Sequence, residues 1–330
     1  MSAETKNIRN VIILGHSHSG KTSVGEALLF AGKTIQKAGS VPAGNTVSDY
    51  NDDEIERKMS INSSVLNLTH NGTKVNVIDT PGFIDFIGEI IGGLRAADAG
   101  ILVVNAVSGI EMGTDKFGKM MKKKGIPFCI FINRMDKENA DFDKCMEQIN
   151  KKFGKNCACI TYPIGSAATF KGVVNLLTKE GLDKVEGDDS EEAKMLSESL
   201  TESVAESDDA LLEKYLEKGE LSSEEIKSAF RKAVLTGELI PVLSGAATSG
   251  SGIKELLELI TGAFPSPLDR PAIKALDPNT KEKVDVEPKS DGPFAAQVFK
   301  TIADPYLGQI TIMKIFSGSL SSNASIYNVS

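Results

Sequence analysis

Eight residues near the start of this 330-residue chain restrict its fold more than any other feature. Gly15-His16-Ser17-His18-Ser19-Gly20-Lys21-Thr22 fits the pattern Gly-x4-Gly-Lys-[Ser/Thr]. It lies between a short apolar run, Asn10–Gly15, and a helix-like stretch, Thr22–Gly32. Strand, tight backbone loop and helix in that order make a phosphate-binding loop. The glycines let the backbone wrap closely, so that amide N–H groups and a helix N-terminus face an anion. Lys21 would reach the β- and γ-phosphates of a nucleotide, and the Thr22 hydroxyl would go to Mg²⁺.

The rest of the first half supplies the sheet such a loop needs. Strand-like runs at Ser64–Thr69, Lys74–Asp79, Gly100–Asn105 and Pro127–Asn133 alternate with helix-like stretches near Phe86–Ala97, Gly113–Lys124 and Asp141–Phe153. Asn71-Gly72 between the first two strands is a tight-hairpin signal. Continuous Val/Ile/Leu strands between helices predict an α/β fold with a mostly parallel sheet covered on both faces. A final strand–helix unit, Leu239–Leu243 and Ile253–Ala263, resumes the pattern after an interruption. The interruption is acidic: residues 180–230 hold seventeen acids against five bases. Leucine and alanine recur there at helical spacing, which predicts two or three surface helices in an inserted subdomain. Pro265-Ser266-Pro267 and a polar stretch to Pro293 read as a linker. The runs FAAQVFKTI, GQITIMKIFSG and ASIYNV then read as three alternating strands, the start of a small β-barrel in a longer polypeptide.

Three further elements lie at strand ends. Asp79-Thr80-Pro81-Gly82 places an acid where it can hold Mg²⁺ opposite the phosphate loop, and the Gly82 amide where it can meet a γ-phosphate. Elsewhere the same spacing would be an ordinary turn. Asn133-Arg134-Met135-Asp136 ends the PFCIFIN strand. Asp136 can accept from guanine N1–H and its exocyclic amine, a donor pair adenine lacks. The Arg134 stem can lie over the base. Ser244-Gly245-Ala246-Ala247 follows the last strand, where backbone N–H groups could receive the guanine oxygen. These elements favour GTP or GDP with Mg²⁺ and argue against an ATP-using kinase.

Composition closes off other classes. No run approaches 18 apolar residues, so no membrane helix is expected. The polar opening MSAETKNIRN is not a signal peptide. Four cysteines make no disulfide scaffold, and Cys157 and Cys159 are read as buried thiols. The net charge of −8 comes from the acidic segment, and the remainder is mildly basic. That balance is compatible with phosphate and with an RNA-rich partner.

The chain resembles the translational GTPases, the elongation factor G family most closely. The resemblance is carried by the phosphate loop, DTPGFIDF at 79–86, NRMD at 133–136, YPIGSAATFKGVVNLL at 162–177, IPVLSGAATSGSGIKELLELI at 240–260, and PFAAQVFKTIADPYLGQITIMKIFSG at 293–318. It implies a P-loop G domain over 1–265 with an inserted subdomain at about 160–238, a linker at 266–292, and a truncated second-domain barrel at 293–330. It implies a cytoplasmic, monomeric GTPase that binds the ribosome through rRNA and stalk proteins, with no membrane partner. Carried over residue by residue, Gly15 to Thr22 bind phosphates, with Lys21 catalytic. Asp79, Thr80, Pro81, Gly82 and Phe83 form the γ-phosphate sensor, with Gly82 catalytic. Asn133, Arg134 and Asp136 take the guanine, together with Ser244, Gly245, Ala246 and Ala247. Thr22, Ser60 and Asp79 hold the metal, Ser60 standing in Arg57-Lys58-Met59-Ser60-Ile61 where the family has a threonine.

The departures suggest a divergent paralogue. Phe83 stands where the family has a water-positioning histidine, and it can neither accept nor donate a hydrogen bond. His18 replaces an aspartate, Gly15 an alanine, Arg134 a lysine and Ala246 a serine. His16 or His18 could compensate for Phe83, but simple tolerance in the loop is the plainer reading.

Overall fold

The computed structural model describes residues 3–185, 187–277 and 280–328. Met1 and Ser2 of the polar opening, Glu186 of the acidic segment, Pro278 and Asn279 of the stretch read as a linker, and Val329 of the ASIYNV run lie outside them, as does Ser330.

From the N-terminus, β1 (Ile8–Gly15) runs into the phosphate loop and α1 (Lys21–Ala31). A long excursion with one short helix, α2 (Asp52–Arg57), leads to the hairpin β2 (Ser64–His70) and β3 (Thr73–Asp79). Then come α3 (Ile87–Ala96), β4 (Ala99–Asn105), α4 (Met112–Lys123), β5 (Phe128–Asn133), α5 (Phe142–Phe153) and β6 (Cys157–Cys159). The short strands β7 (Thr161–Ile164) and β8 (Gly172–Asn175) pair with each other, and three helices follow: α6 (Asp188–Ala205), α7 (Asp209–Lys218) and α8 (Ser223–Thr236). β9 (Ile240–Ser244) and α9 (Ile253–Gly262) complete the large unit. Two hairpins close the described chain: β10 (Ile273–Leu276) with β11 (Lys283–Val286), and β12 (Ala295–Asp304) with β13 (Gly308–Ser317).

The main sheet has the order β2-β3-β1-β4-β5-β9-β6. β2 is antiparallel to β3; the other pairings are parallel. Burial follows from that topology. Every residue of β4 and β5 is buried, because helices cover both faces. β2, at the edge, alternates buried and exposed residues, with one face left to solvent. Asn71 and Gly72 both adopt positive φ, the geometry a two-residue hairpin turn needs. Cys157 and Cys159 are buried on the same face of β6.

The acidic segment forms three helices. Val204 and Ala193 of α6 and Phe230 and Ala233 of α8 join the core. The stretch read as a linker holds the β10–β11 hairpin. Of the three runs read as barrel strands, the first two form β12 and β13. ASIYNV forms no strand over its described residues. Among the described residues, no helix is long and apolar enough to cross a membrane. β12 lies against α3 so closely that a Cβ at Gly92 would sit 2.7 Å from the Phe299 carbonyl oxygen.

Candidate functional site

Parallel strands deliver their following loops to one edge of the sheet, and there the loops after β1, β3, β5 and β9 meet. At the phosphate loop, Lys21 is buried and its Nζ donates to the His16 carbonyl at 3.0 Å. Gly20 precedes α1 with φ 91, and a Cβ there would stand 2.4 Å from Asn133 Nδ2. Glycine is therefore required on two counts, backbone conformation and space. Asn133 ties three loops: Nδ2 donates to the Ser19 carbonyl at 3.0 Å, and Oδ1 accepts from the Ala247 N–H at 3.0 Å. The Ser19 hydroxyl is buried and has no partner among the described residues.

Next to Lys21 lies a corner of oxygen atoms. Thr22 Oγ1 and Ser60 Oγ are 3.1 Å apart. Asp79 and Asp49 are buried, and neither carboxylate has a hydrogen bond of good geometry among the described residues. Burial pushes the Asp79 carboxyl above its ordinary range, opposed by the Lys21 charge and the nearby Thr22 and Ser48 hydroxyls. Burial likewise raises Asp49 to about 6, and lowers Lys21 to about 8 against the pull of Asp79 and Asp49. Unsatisfied buried carboxylates are costly unless a cation completes them. The donor set is all oxygen, as Mg²⁺ demands. The Thr22 and Ser60 hydroxyls share a hydrogen bond at 3.1 Å, close to the roughly 3 Å between adjacent oxygens on an octahedral ion with 2.0–2.1 Å bonds. These residues fit Mg²⁺.

Ser60 reaches this corner because buried carboxylates hold its segment. Glu54 accepts from the Ile61 and Asn62 N–H groups, each at 2.9 Å, while also capping α2 through Asn51. Glu26 of α1 accepts from the Gly39 and Val47 N–H groups. Asp49, Glu54 and Glu26 were not expected from the sequence. The signal available was an acid on the apolar face of α1 for Glu26, and the Asn-x-x-Glu capping pattern for Glu54.

The loop after β3 lies on the phosphate loop. Thr80 Oγ1 donates to the Ile13 carbonyl at 2.7 Å, which makes Thr80 a clasp to β1. Pro81 is buried beside it. Gly82 comes so near that a Cβ would be 2.4 Å from Lys21 Nζ and 2.7 Å from Ser17 Cα. Phe83 meets the His18 ring edge to face, with centroids 5.9 Å apart. His16 turns away: Nδ1 accepts from the Gly113 N–H at 3.3 Å, and Nε2 lies 3.5 Å from Glu111 Oε1.

At the other end, Asp136 Oδ1 is buried without a partner among the described residues, while Oδ2 takes the Lys137 ammonium at 2.8 Å. Arg134 has φ 70 and, with Lys137 and Thr248 but not Asp136, lines the neighbouring cavity. The last element departs from expectation. Ser244 is fully buried, and its N–H and hydroxyl both engage Thr161. Gly245, Ala246 and Ala247 donate their N–H groups to the Ile132 carbonyl, the Ser251 carbonyl and Asn133 Oδ1. The four amides are satisfied internally instead of standing open. Ser244 is a strand clasp. A cavity of about 550 Å³ joins the corner at Thr22 and Ser60 to Asn133 and Arg134, within the usual range for a small-molecule site.

A phosphate loop at the strand ends of a mostly parallel sheet, facing a corner of buried oxygen atoms, defines the class of P-loop nucleotide-binding proteins. Residues 6–266 match the elongation factor Tu GTP binding domain. The chain is 36% identical over 333 aligned positions to elongation factor G of Thermotoga maritima, covering 97% of this chain and 48% of that protein. It superimposes on a crystal structure from Thermus thermophilus with a TM-score of 0.82 and 30% identity, over 95% of this chain and 46% of that one. The chain belongs to the translational GTPases, in the elongation factor G family. It spans about half the length of the relative and the structure it matches.

Proposed function

We propose that this chain is the nucleotide-binding part of a ribosome-associated translation factor that cycles between GTP and GDP. The observation that carries the reading is the corner where Lys21, Thr22, Ser60, Asp79 and Asp49 converge, with buried carboxylates lacking partners among the described residues. Lys21 cradles the β- and γ-phosphates, and Asp136 reads guanine through its free Oδ1. Thr22, Ser60 and Asp79 hold Mg²⁺, which when bound neutralises charge on the phosphates. The acidic helices α6–α8 form a docking surface for ribosomal stalk proteins, and the less acidic remainder faces rRNA. Residues 1–265 act as the G domain, the insert lies at about 160–238, and 293–330 begin a barrel. The protein works as a cytoplasmic monomer.

Hydrolysis joins a water oxygen to the γ-phosphorus as the bond to the β–γ bridging oxygen breaks. The Gly82 amide and Lys21 stabilise the charge that develops. Phe83 gives the water neither acceptor nor donor, so turnover on this chain alone is slow and needs a partner.

A second reading follows from the Phe83–His18 contact: a GTP-loaded regulator or ribosome-protection factor with negligible turnover. Multiple-turnover GTP hydrolysis with and without ribosomes separates the two. Stimulation of at least about tenfold supports the first reading. Ribosome binding that depends on GTP, without turnover, supports the second.

A further inference from the structure

One carboxylate oxygen joins the two phosphate-facing segments to the β12–β13 hairpin. Glu89 Oε2 accepts from the Ser63 N–H at 2.7 Å, from the Ser63 hydroxyl at 2.6 Å and from Lys300 Nζ at 2.8 Å. The two donors are enclosed, Ser63 at 4% and the Lys300 side chain at 8% exposure, while the Glu89 side chain keeps 31%. Hydrogen bonds to a charged group are strong, and three donors on one oxygen fix its position.

The three partners come from different parts of the molecule. Ser63 ends the segment that begins at Ser60, and Ile61 and Asn62 between them are held by Glu54. Glu89 sits in the first turn of α3, a few residues after Gly82 and Phe83. Lys300 belongs to β12, more than 200 residues further along the chain. The segment that follows Ser60 is thus held first by Glu54, at Ile61 and Asn62, and then by Glu89, at Ser63, and Glu89 is itself held by Lys300. Removal of the ammonium leaves Glu89 without its charge partner and frees it to turn to solvent. Ser63 then loses its anchor, the segment after Ser60 is held by Glu54 alone, and ordering Ser60 costs more when a ligand binds. That cost falls on a ligand that needs Ser60 and spares one that does not.

We infer that Lys300 and Glu89 are positioning residues that set the preference of the site for a nucleoside triphosphate over the diphosphate, by holding Ser63 and thereby Ser60. The inference rests on the GTP reading above. It goes beyond that reading in assigning triphosphate selectivity to a lysine that lies outside the nucleotide cavity.

The test uses the full chain with Mg²⁺, a non-hydrolysable GTP analogue and GDP, each titrated by fluorescence or calorimetry. Lys300→Met should lower analogue affinity about tenfold while GDP affinity stays within about twofold. Lys300→Arg should restore most of the loss. Ser63→Ala removes the hydroxyl bond but keeps the backbone N–H bond to Glu89, so it should lower analogue affinity less than Lys300→Met does and add less than about twofold on top of it, because both act through one oxygen. Equal losses for both nucleotides, no loss, or additive effects of the two substitutions would overturn the inference. If the unsubstituted chain binds neither nucleotide, the GTP reading itself fails, and this inference fails with it.

Discussion

Asp136→Asn is the substitution whose consequence is most fully determined by the site. Asp136 Oδ1 is buried with no partner among the described residues, and Oδ2 is shared only with a half-exposed Lys137. Guanine offers this carboxylate two donors. The amide keeps one acceptor and turns an N–H₂ toward the other donor. One charge-assisted hydrogen bond is lost and a donor faces a donor, together costing about 2–3 kcal/mol. That is roughly a 30- to 150-fold loss of GTP affinity. Weak ATP binding should change less than about twofold, because adenine has no donor pair at this place. Stability should hardly move, since Asp136 pairs only with a half-exposed Lys137 and such ion pairs contribute about 0–1 kcal/mol. Calorimetric titration of both proteins with Mg²⁺·GTP and Mg²⁺·ATP reads the result directly. A loss below about threefold, or parallel losses for GTP and ATP, would refute the base-reading role.

Phe83→His should raise ribosome-stimulated GTP turnover by about 10²–10⁴-fold with nucleotide affinity nearly unchanged; unchanged turnover in single-turnover assays would show that residue 83 does not limit the chemistry. Chelation of Mg²⁺ with EDTA should weaken binding of a GTP analogue at least about tenfold, and Thr22→Ala should show the same weakness with little further response to EDTA. A variant that still responds fully would mean the metal sits elsewhere. Burial pushes the thiols of Cys145 and Cys157 up to about 11 and Cys159 to about 12, and raises Cys129 as well. A disulfide reagent at pH 8 should therefore find almost no reactive thiol in the folded chain and all four after denaturation, and rapid reaction of the native protein would contradict the buried placement.

Much of this fold is legible because its signals are local. Apolar runs such as GILVVN and PFCIFIN can only be strands buried on both faces, and the phosphate loop and Asn71-Gly72 carry their own backbone geometry. Asp79 and Asn133 are legible for the same reason, each ending a strand that must reach the same sheet edge, and Asp136 follows three residues after Asn133. What escaped depends on partners distant in sequence. Asp49 and Glu54 resemble solvated charges in an acidic stretch until the loop folds over the phosphate loop and buries them. Ser244 resembles a ligand-binding serine until Thr161, 83 residues earlier, takes its N–H and hydroxyl. The short hairpins β7–β8 and β10–β11 have too few residues to show an alternation. The contact of Lys300 with Glu89 needs the hairpin docked on α3, which no local pattern encodes.

In the proposed site, Asp136 selects a guanine nucleotide and its phosphates lie between Lys21 and the Thr22–Ser60–Asp79 corner. Competitive titration of the purified chain with GTP, GDP and ATP in Mg²⁺ tests it most directly. GTP and GDP should both bind tightly, with GTP preferred over ATP by well over about tenfold. Equal affinity for GTP and ATP, or no binding of either, would contradict it.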